Sequence, residues 1–294
     1  MFRAICQAWH AMASKKEESV TTLRQSVVIT GASKGLGEAL ARLYADPGRT
    51  LGLIGRDRHR LEAVAARCRN QGGHVVIAAL DVKDGAGLAR WFRAFDAEHP
   101  VDLLIVNAGM FTGNGKFAPE TMQEMTELLR TNLEGAALTI SAAVPMMRAR
   151  QSGRIAIVGS LAALHPLADA PAYSASKAGV MAYGEALREW LAPDHVAVSL
   201  IYPGHIKTAQ VEHHVGALPL MVSAETAARI VKRGLDRGRT AIAFPKALLW
   251  LIRAGRFLPW RVRAMLGRGN RFYVAKPEAA SQAPSAPVGA GAGK

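Results

Sequence analysis

Short apolar runs alternate with longer segments of helical pattern along most of the chain. The runs predict β-strands at residues 26–30, 50–54, 74–80, 101–106, 154–159, 195–201 and 240–244. Helix-favouring segments at residues 38–44, 60–69, 88–95, 117–147 and 171–192 predict the intervening helices. Strands that alternate with helices at this spacing form right-handed βαβ units, so the pattern predicts an α/β fold around a parallel sheet.

The turn after the first predicted strand is rich in glycine. Thr30 is followed by Gly-Ala-Ser-Lys-Gly-Leu-Gly, and a helical pattern begins at Glu38. Glycine lets the backbone approach a ligand closely, and a helix N-terminus favours an anion. This strand–turn–helix order favours nucleotide binding over a merely tight connection. The candidate phosphate-binding residues are Gly31, Ser33, Lys34, Gly35, Leu36 and Gly37.

The end of the second predicted strand is the position that distinguishes NADP from NAD in dinucleotide-binding folds. An acid there accepts a hydrogen bond from the ribose 2′-hydroxyl, whereas an arginine pairs with a 2′-phosphate. Gly55 and Arg56 stand at this position, and Lys34 lies in the glycine turn. The two cations favour NADP. The alternative is that Arg56 is a solvated turn residue and that Asp57 accepts from the ribose.

A tyrosine, a lysine and a serine form the candidate reaction centre. Tyr173 and Lys177 are four residues apart in a predicted helix, so they lie on one face. A phenol has a pKa of about 10, and a neighbouring ammonium lowers it by favouring the phenolate. Ser160, which follows the fifth predicted strand, could hold a carbonyl oxygen beside that phenol. On its own, a Tyr-x-x-x-Lys pair is also typical of an exposed amphipathic helix.

Taken in order, seven short stretches resemble the short-chain dehydrogenase/reductase family in its common form. They are Thr30-Gly31-x-x-x-Gly35-x-Gly37, Asp81-Val82, Asn107-Ala108-Gly109, Asn132, Ser160, Tyr173-x-x-x-Lys177 and Pro203-Gly204-x-Ile206-x-Thr208. The resemblance covers residues 26 to about 245. It implies a doubly wound, Rossmann-type α/β sheet of about seven parallel strands with helices on both faces. It also implies a homo-oligomer, either a dimer or a tetramer.

The resemblance assigns catalytic roles to four residues. Tyr173 would be the acid/base at the carbonyl oxygen, and Lys177 would lower its pKa and hold the nicotinamide ribose. Ser160 would orient the carbonyl group, and Asn132 would hold a water that links Lys177 to solvent. The cofactor-binding residues that it implies are those of the glycine turn, Arg56, Asp81, Val82, Asn107, Gly109, Tyr173, Lys177, Pro203, Gly204, Ile206 and Thr208.

Two histidines near these motifs are weaker candidates. His165 lies five residues after Ser160, in the loop that should flank the substrate, and could donate to a substrate oxygen. His205 could contact the cofactor or the substrate. A surface position is more typical of a loop histidine in both cases.

The composition narrows the function classes. Half of the 294 residues are hydrophobic, which excludes global disorder. The net charge of +14 favours an anionic partner: a phosphorylated cofactor, a membrane surface or nucleic acid. Nucleic acid is disfavoured because no recognised binding module accompanies the cations. Two cysteines, Cys6 and Cys68, form neither a disulfide framework nor a metal cluster, so no metal is expected.

The chain divides into four segments. Residues 1–25 form an N-terminal extension, within which Met12 is an alternative start to Met1. Residues 26–245 form the dinucleotide-binding catalytic domain, and residues 273–294 are expected to be a disordered tail rich in Ala, Pro, Gly and Ser. No apolar run reaches the ~20 residues of a membrane span, and the N-terminus lacks the apolar core of a signal peptide. A cytoplasmic location is therefore expected.

Between these parts, residues 246–272 form a basic amphipathic segment. Residues 232–271 contain eleven basic residues and one acid, a net charge of +10. Basic helices with aromatic residues suit an anionic membrane surface. The alternative is a helix pair that packs over the active site or on a dimer partner, with its cations solvated. The sequence leaves peripheral membrane contact open.

The function that these patterns predict is an NADP-dependent oxidoreductase that interconverts a carbonyl and an alcohol. The segment at residues 209–222, where such enzymes carry a substrate lid, contains Val211, Val215, Leu218, Leu220 and Met221. An apolar lid favours an apolar substrate. The competing class is a dinucleotide-binding scaffold or redox sensor with little turnover. The presence of all four catalytic residue types argues against that class.

Overall fold

The computed structural model describes residues 26–111, 120–207, 214–215, 220–255, 257–259, 261–262, 265 and 273–274. Its main sheet contains seven strands, all of them parallel. These strands are β1 (Ser26–Thr30), β2 (Thr50–Gly55), β3 (His74–Ala79), β4 (Leu103–Val106), β5 (Gly153–Val158), β6 (Val196–Pro203) and β10 (Ala241–Phe244). Their order in the sheet is β10-β6-β5-β4-β1-β2-β3. The predicted doubly wound sheet of seven strands is confirmed.

Helices cover both faces of this sheet. They are α1 (Gly35–Tyr44), α2 (Arg58–Arg69), α3 (Gly85–Glu98), α4 (Met122–Leu129), α5 (Gly135–Ala149), α6 (Pro171–Leu191), α7 (Ala224–Asp236) and α8 (Lys246–Gly255). Residues of α1, α2 and α7 pack in one core cluster. Residues of α3, α5 and α6 pack in the other.

The strands are buried on both sides because they separate these two clusters. In β1, Val27 and Ile29 belong to the first cluster and Val28 to the second. Successive side chains of a strand point to opposite faces, so an uninterrupted apolar run is what a strand inside a doubly wound sheet requires. This explains why the apolar runs located all seven strands.

Side-chain caps fix where several helices begin. Asp57 accepts a hydrogen bond from Arg60 N at 3.0 Å at the start of α2. Asp84 accepts from Gly87 N at 2.9 Å, so that α3 begins before the apolar pattern does. These caps satisfy backbone N–H groups that have no partner in the first turn of a helix.

The predicted helix at residues 117–147 differs from the structure. The structure contains two helices, α4 and α5, joined by a π-helical turn at Arg130–Glu134. The side chain of Asn132, in this turn, bonds to the backbone of Met110 and to Ser176. The irregular turn therefore depends on tertiary contacts that helical periodicity does not encode.

Short strand pairs lie outside the main sheet. Ile206–Lys207 (β7) pairs in parallel with Val222–Ser223 (β9), and His214–Val215 (β8) pairs antiparallel with Tyr273–Val274 (β11). The first two residues of the predicted disordered tail thus form a strand, in keeping with the β-propensity of tyrosine and valine. The N-terminal extension, the rest of the tail and most of the predicted lid lie outside the described residues.

Candidate functional site

A cleft opens at the carboxyl ends of the central strands. The chain runs outward from β1 to β2 and β3, then crosses back to β4 on the other side of β1. Ligands of open α/β sheets bind at such a switch point. The cleft has a volume of about 400 Å³. The predicted site residues that line it are Gly31, Ser33, Lys34, Gly35, Leu36, Arg56, Asp81, Val82, Asn107, Gly109, Ser160, Tyr173, Lys177, Pro203, Gly204 and Ile206.

Two predicted site residues that the structure describes are not part of this lining. Gly37 lies in the first turn of α1, beneath the glycine turn, and is buried. Asn132 is 1% exposed and lies behind the cleft wall. Thr208 lies outside the described residues.

The glycine turn needs glycine for two separate reasons. Gly31 has a φ of +65°, a backbone conformation that favours glycine. At Gly37 the reason is space, because an added Cβ would lie 2.2 Å from Gly31 O and 2.7 Å from Asn107 Nδ2. The first turn of α1 therefore approaches the end of β1 closely, and Gly35 and Leu36 at its start line the cleft. A helix N-terminus favours an anion.

Hydrogen bonds join the ends of β1 and β4 across the switch point. Thr30 Oγ1 accepts from Asn107 N at 3.0 Å and from Ala108 N at 3.1 Å. Asn107 Nδ2 in turn donates to Thr30 O at 3.0 Å and to Gly31 O at 3.2 Å. The Asn107 side chain thus fixes the glycine turn against the neighbouring strand.

The three candidate reaction-centre residues meet at the floor of the cleft. Ser160 caps a 3₁₀ turn at Leu161–Ala163, and its Oγ accepts from Ala162 N at 3.1 Å. The hydroxyl of Tyr173, in the first turn of α6, lies near that of Ser160. Lys177, one turn later, donates from Nζ to Val158 O at 3.1 Å, and Nζ lies 5.8 Å from the centre of the Tyr173 ring.

Burial controls the ionisation of this pair. Desolvation raises the pKa of Tyr173 above its usual value, and the nearby hydroxyl of Ser160 opposes this rise. Desolvation also lowers the pKa of Lys177 to about 8. The expected lowering of the Tyr173 pKa by Lys177 is therefore not found here, because loss of solvation outweighs the effect of nearby groups.

Asn132 is held by three hydrogen bonds. Its Oδ1 accepts from Met110 N at 2.7 Å, and its Nδ2 donates to Met110 O at 2.9 Å and to Ser176 Oγ at 3.1 Å. Ser176 Oγ donates in turn to Tyr173 O at 2.7 Å. A Cβ on Gly109 would lie 3.2 Å from Asn132 Oδ1 and 3.4 Å from Lys177 Nζ. The side-chain amide therefore ties the π-helical turn to α6 and to the chain beyond β4.

At the end of the cleft near β2, the structure distinguishes between Arg56 and Asp57, the two residues that could recognise the ribose. Arg56 lines the cleft, its side chain is 69% exposed, and its Nη1 lies 4.0 Å from Asp81 Oδ2. Asp57 does not line the cleft. Its carboxylate caps α2 and lies 3.1 Å from Arg60 Nε. Arg56 therefore remains available to a ligand, whereas the carboxylate of Asp57 is already engaged.

The opposite end of the cleft is mostly apolar. Its apolar lining residues are Met110, Phe111, Leu161, Ala162, Leu167, Ile206, Leu248 and Ile252. Phe111 packs edge-on against Tyr173, with ring centres 4.6 Å apart. His165 and His205 also line the cleft, and both are partly exposed.

Sequence reasoning missed several lining residues, among them Leu248, Ile252 and Thr131. Leu248 and Ile252 of α8 lie four residues apart, a spacing that could have indicated a common inward face. Thr131 also lines the cleft, and its buried Oγ1 has no hydrogen-bond partner among the described residues. No signal in the sequence marks Thr131, because its position depends on the π-helical turn.

Comparison with known proteins identifies the family. The family model for short chain dehydrogenases matches residues 25–216, well over half of the chain. The chain belongs to the short-chain dehydrogenase/reductase family. The membership that the sequence motifs predicted is confirmed, and with it an oxidoreductase of the nucleotide-binding Rossmann class.

Curated relatives cover most of this family member. An uncharacterized oxidoreductase of Myxococcus xanthus is 34% identical over 237 residues, which span 80% of this chain and 93% of the relative. The 11-beta-hydroxysteroid dehydrogenase-like 3 protein of Arabidopsis thaliana is also 34% identical, over 78% of this chain and 75% of its own length.

Solved structures share the fold. A metagenomic short-chain oxidoreductase in complex with NADP superposes with a TM-score of 0.64 at 29% identity, covering 74% of this chain and 94% of the other. A short-chain dehydrogenase from Burkholderia phymatum in complex with NAD gives a TM-score of 0.71 at 23% identity, covering 78% of this chain and 92% of its own. The fold is therefore found with either nicotinamide cofactor. The described part of the chain contains no helix that is both long and apolar enough to cross a membrane.

Proposed function

We propose that this dehydrogenase is NADP-dependent and interconverts a carbonyl and an alcohol on an apolar substrate. The observation that carries the proposal is that Ser160, Tyr173 and Lys177 line the same cleft, with Lys177 one helical turn from Tyr173 in α6. The glycine turn lies on one side of these residues, and the apolar wall of the cleft lies on the other. A dinucleotide-binding scaffold would not require hydroxyl groups placed in this way.

The residues at the switch point fit a nicotinamide dinucleotide. The close approach of Gly37 to Gly31 leaves room for a pyrophosphate against the backbone, at the N-terminus of α1. Asp81, Val82 and the unpaired hydroxyl of Thr131 would hold the adenine half. Asn107, Gly109, Pro203, Gly204, Ile206 and Thr208 would hold the nicotinamide half, together with Tyr173 and Lys177. The bound cofactor supplies or accepts the hydride.

The chain's own residues handle the proton. In reduction, Tyr173 Oη donates its proton to the carbonyl oxygen, and Ser160 donates a hydrogen bond to the same oxygen as negative charge develops there. The raised pKa of Tyr173 keeps the phenol protonated at neutral pH, which is the form that this step needs. In oxidation, the phenolate accepts the proton of the alcohol. Lys177 lies one helical turn away, and below its pKa of about 8 its positive charge favours that phenolate. Asn132 fixes α6 in position through Ser176.

Specificity for NADP rests on the contrast between Arg56 and Asp57. An exposed guanidinium at the mouth of the cleft can pair with a 2′-phosphate in bidentate fashion. Lys34, which is exposed and lines the cleft, adds a second cation. The carboxylate of Asp57 is engaged at the start of α2 and would have to leave its cap to accept from a ribose.

An apolar substrate follows from the wall formed by Met110, Phe111, Leu161, Leu248 and Ile252. Burial of apolar surface is the main source of affinity for small ligands in such clefts. The name of the Arabidopsis relative, a hydroxysteroid dehydrogenase-like protein, agrees with this class. Assembly as a dimer or tetramer and a cytoplasmic location remain predictions.

Replacement of Arg56 tests the choice of cofactor. In fluorescence titrations, the wild type should bind NADPH more tightly than NADH. Arg56→Ala should weaken NADPH binding by roughly 10- to 100-fold, because a charge-assisted pair contributes about 1.5–3 kcal/mol. Binding of NADH should be nearly unchanged.

Arg58→Ala is the matched control, since Arg58 is exposed two residues away and does not line the cleft. It should bind both cofactors as the wild type does. Equal losses of NADPH and NADH affinity in Arg56→Ala would contradict the phosphate clamp. A wild-type preference for NADH would assign ribose recognition to an acid such as Asp57.

A further inference from the structure

Helix α8 carries large apolar side chains on both of its sides. On the inner side, Leu248 and Leu249 pack against the core and Ile252 is buried. On the outer side, Trp250 is 66% exposed and Leu251 is 69% exposed. The outer side of a surface helix normally carries polar residues, so large apolar side chains there are unusual. The outer side of α8 has no cover among the described residues.

The exposed apolar side chains continue beyond the end of α8. Phe257 is 90% exposed and Leu258 is also exposed. Backbone hydrogen bonds from Phe257 N to Ala254 O (3.3 Å) and from Leu258 N to Gly255 O (3.1 Å) hold these residues in a turn directly after the helix. Single exposed apolar side chains are common, whereas a group of large ones close together marks an interaction surface.

Positive charge borders these residues. At about 100° per residue, Lys246 and Arg253 lie on the same side of α8 as Trp250. The guanidinium carbon of Arg253 lies 5.8 Å from the centre of the Trp250 ring. The α8 surface is defined here as Lys246, Trp250, Leu251, Arg253, Phe257 and Leu258. The sequence at residues 246–271 contains seven basic residues and no acid.

We propose that the α8 surface docks onto an anionic phospholipid bilayer. Tryptophan and phenylalanine insert between headgroup and acyl chain, and lysine and arginine beside them pair with anionic headgroups. Each basic residue near such a surface adds roughly 1 kcal/mol of attraction at moderate salt. The exposed aromatic side chains match the apolar part of such a bilayer. The cations, which have no acidic residue beside them in the sequence at residues 246–271, match its anionic headgroups.

Charge disfavours the other possible occupants. In a symmetric dimer, the same surface of two copies would meet, which would oppose two segments that each carry seven basic residues. The chain's own remaining segments are not acidic either. Residues 1–25 contain four basic and two acidic residues, and residues 275–294 contain two basic and one acidic. Neither segment would neutralise the α8 surface.

The same helix connects this surface to the cleft. Leu248 and Ile252, on the inner side of α8, line the apolar end of the cleft. The exposed Leu220 and Met221 directly precede β9, where Val222 N donates to His205 O, and His205 also lines the cleft. Docking would therefore place the cleft where apolar molecules dissolved in a membrane can enter it. This link to substrate entry rests on the proposed function, whereas docking itself does not.

Flotation of the full-length protein with vesicles tests the proposal. Binding should be found with vesicles of phosphatidylcholine that contain phosphatidylserine, should be much weaker with phosphatidylcholine alone, and should decrease as salt is added. The double substitution Trp250→Ser with Phe257→Ser should reduce binding at least ten-fold. Lys246→Glu with Arg253→Glu should reduce it similarly. Trp190→Ser, which removes an exposed tryptophan of α6, is the matched control and should float as the wild type does.

Several results would overturn the proposal. One is flotation that does not depend on phosphatidylserine, and another is equal loss in the Trp190 control. A change from dimer to monomer in the double variant, measured by light scattering, would assign the surface to a second copy. A large fall in the unfolding midpoint of the double variant would show that a segment of this chain covers the surface. Displacement from vesicles by duplex DNA would assign the cations to nucleic acid. Because flotation requires no turnover, these outcomes are independent of the enzymatic proposal.

Discussion

Tyr173 and Lys177 are ionisable side chains whose neutral forms are favoured by loss of solvation. The pKa of Tyr173 is raised, and the pKa of Lys177 falls to about 8. The sequence indicates that the two residues are neighbours, and a Coulomb argument from that alone predicts a lowered phenol pKa. The structure gives the opposite direction, because both side chains lose solvation in the cleft. The sequence reveals neither this loss nor the hydrogen bond that Lys177 Nζ donates to Val158 O.

The raised pKa of Tyr173 predicts opposite pH dependences for the two reaction directions. Carbonyl reduction uses the protonated phenol, so its kcat/KM should be highest at neutral and lower pH and should fall at alkaline pH. Alcohol oxidation uses the phenolate, so its kcat/KM should rise from neutral to alkaline pH. Profiles measured in both directions on one substrate pair test this prediction. An oxidation rate that is highest at acid pH would contradict the assignment of Tyr173 as the proton donor and acceptor.

The strand–turn–helix element at β1 and α1 was predicted almost completely from the sequence. Its apolar run, its glycines and its helical pattern are all local signals. Helix boundaries were less accurate, as in α3, where the Asp84 cap extends the helix in front of the apolar pattern. The π-helical turn at Asn132 was missed, since it is defined by contacts with distant segments rather than by periodicity. Packing of residues 246–272 over the active site was one of two alternatives, and the four-residue spacing of Leu248 and Ile252 is compatible with it.

Close packing at the glycine turn predicts that no larger residue is tolerated at position 37. In Gly37→Ala, the added Cβ would approach Gly31 O at 2.2 Å, and a backbone oxygen cannot move aside cheaply. We expect the free energy of unfolding to fall by about 1–3 kcal/mol, as for other overpacked sites, and cofactor affinity to fall with it. Urea unfolding and NADPH titration measure the two effects.

Gly255→Ala provides the comparison, because no atom in the described part of the chain lies within 4 Å of the added Cβ there. It should leave stability unchanged or raise it by up to about 1 kcal/mol. Wild-type stability in Gly37→Ala would show that the turn relaxes without cost and that the close approach is not required.

At the scale of the whole molecule, the doubly wound topology gathers motifs that are far apart in the sequence. Residues as distant as Gly31 and Ile206 line one cleft because all the strands of the parallel sheet end at the same edge. The order of the motifs predicted the fold, and most of the described candidate residues line this cleft. The sequence does not predict the shape of the apolar end of the cleft, since His165, Leu248 and Ile252 reach it from separate loops and helices.

The most direct measurement follows NADPH consumption by the wild type and by Tyr173→Phe with a panel of apolar ketones and aldehydes. The wild type should reduce at least one of these compounds. The variant should be roughly 10²- to 10⁴-fold slower, the usual contribution of a general acid, while binding NADPH with near wild-type affinity. A variant as active as the wild type would contradict the role of Tyr173. A wild type that binds NADPH but reduces none of the panel would favour the dinucleotide-binding scaffold instead.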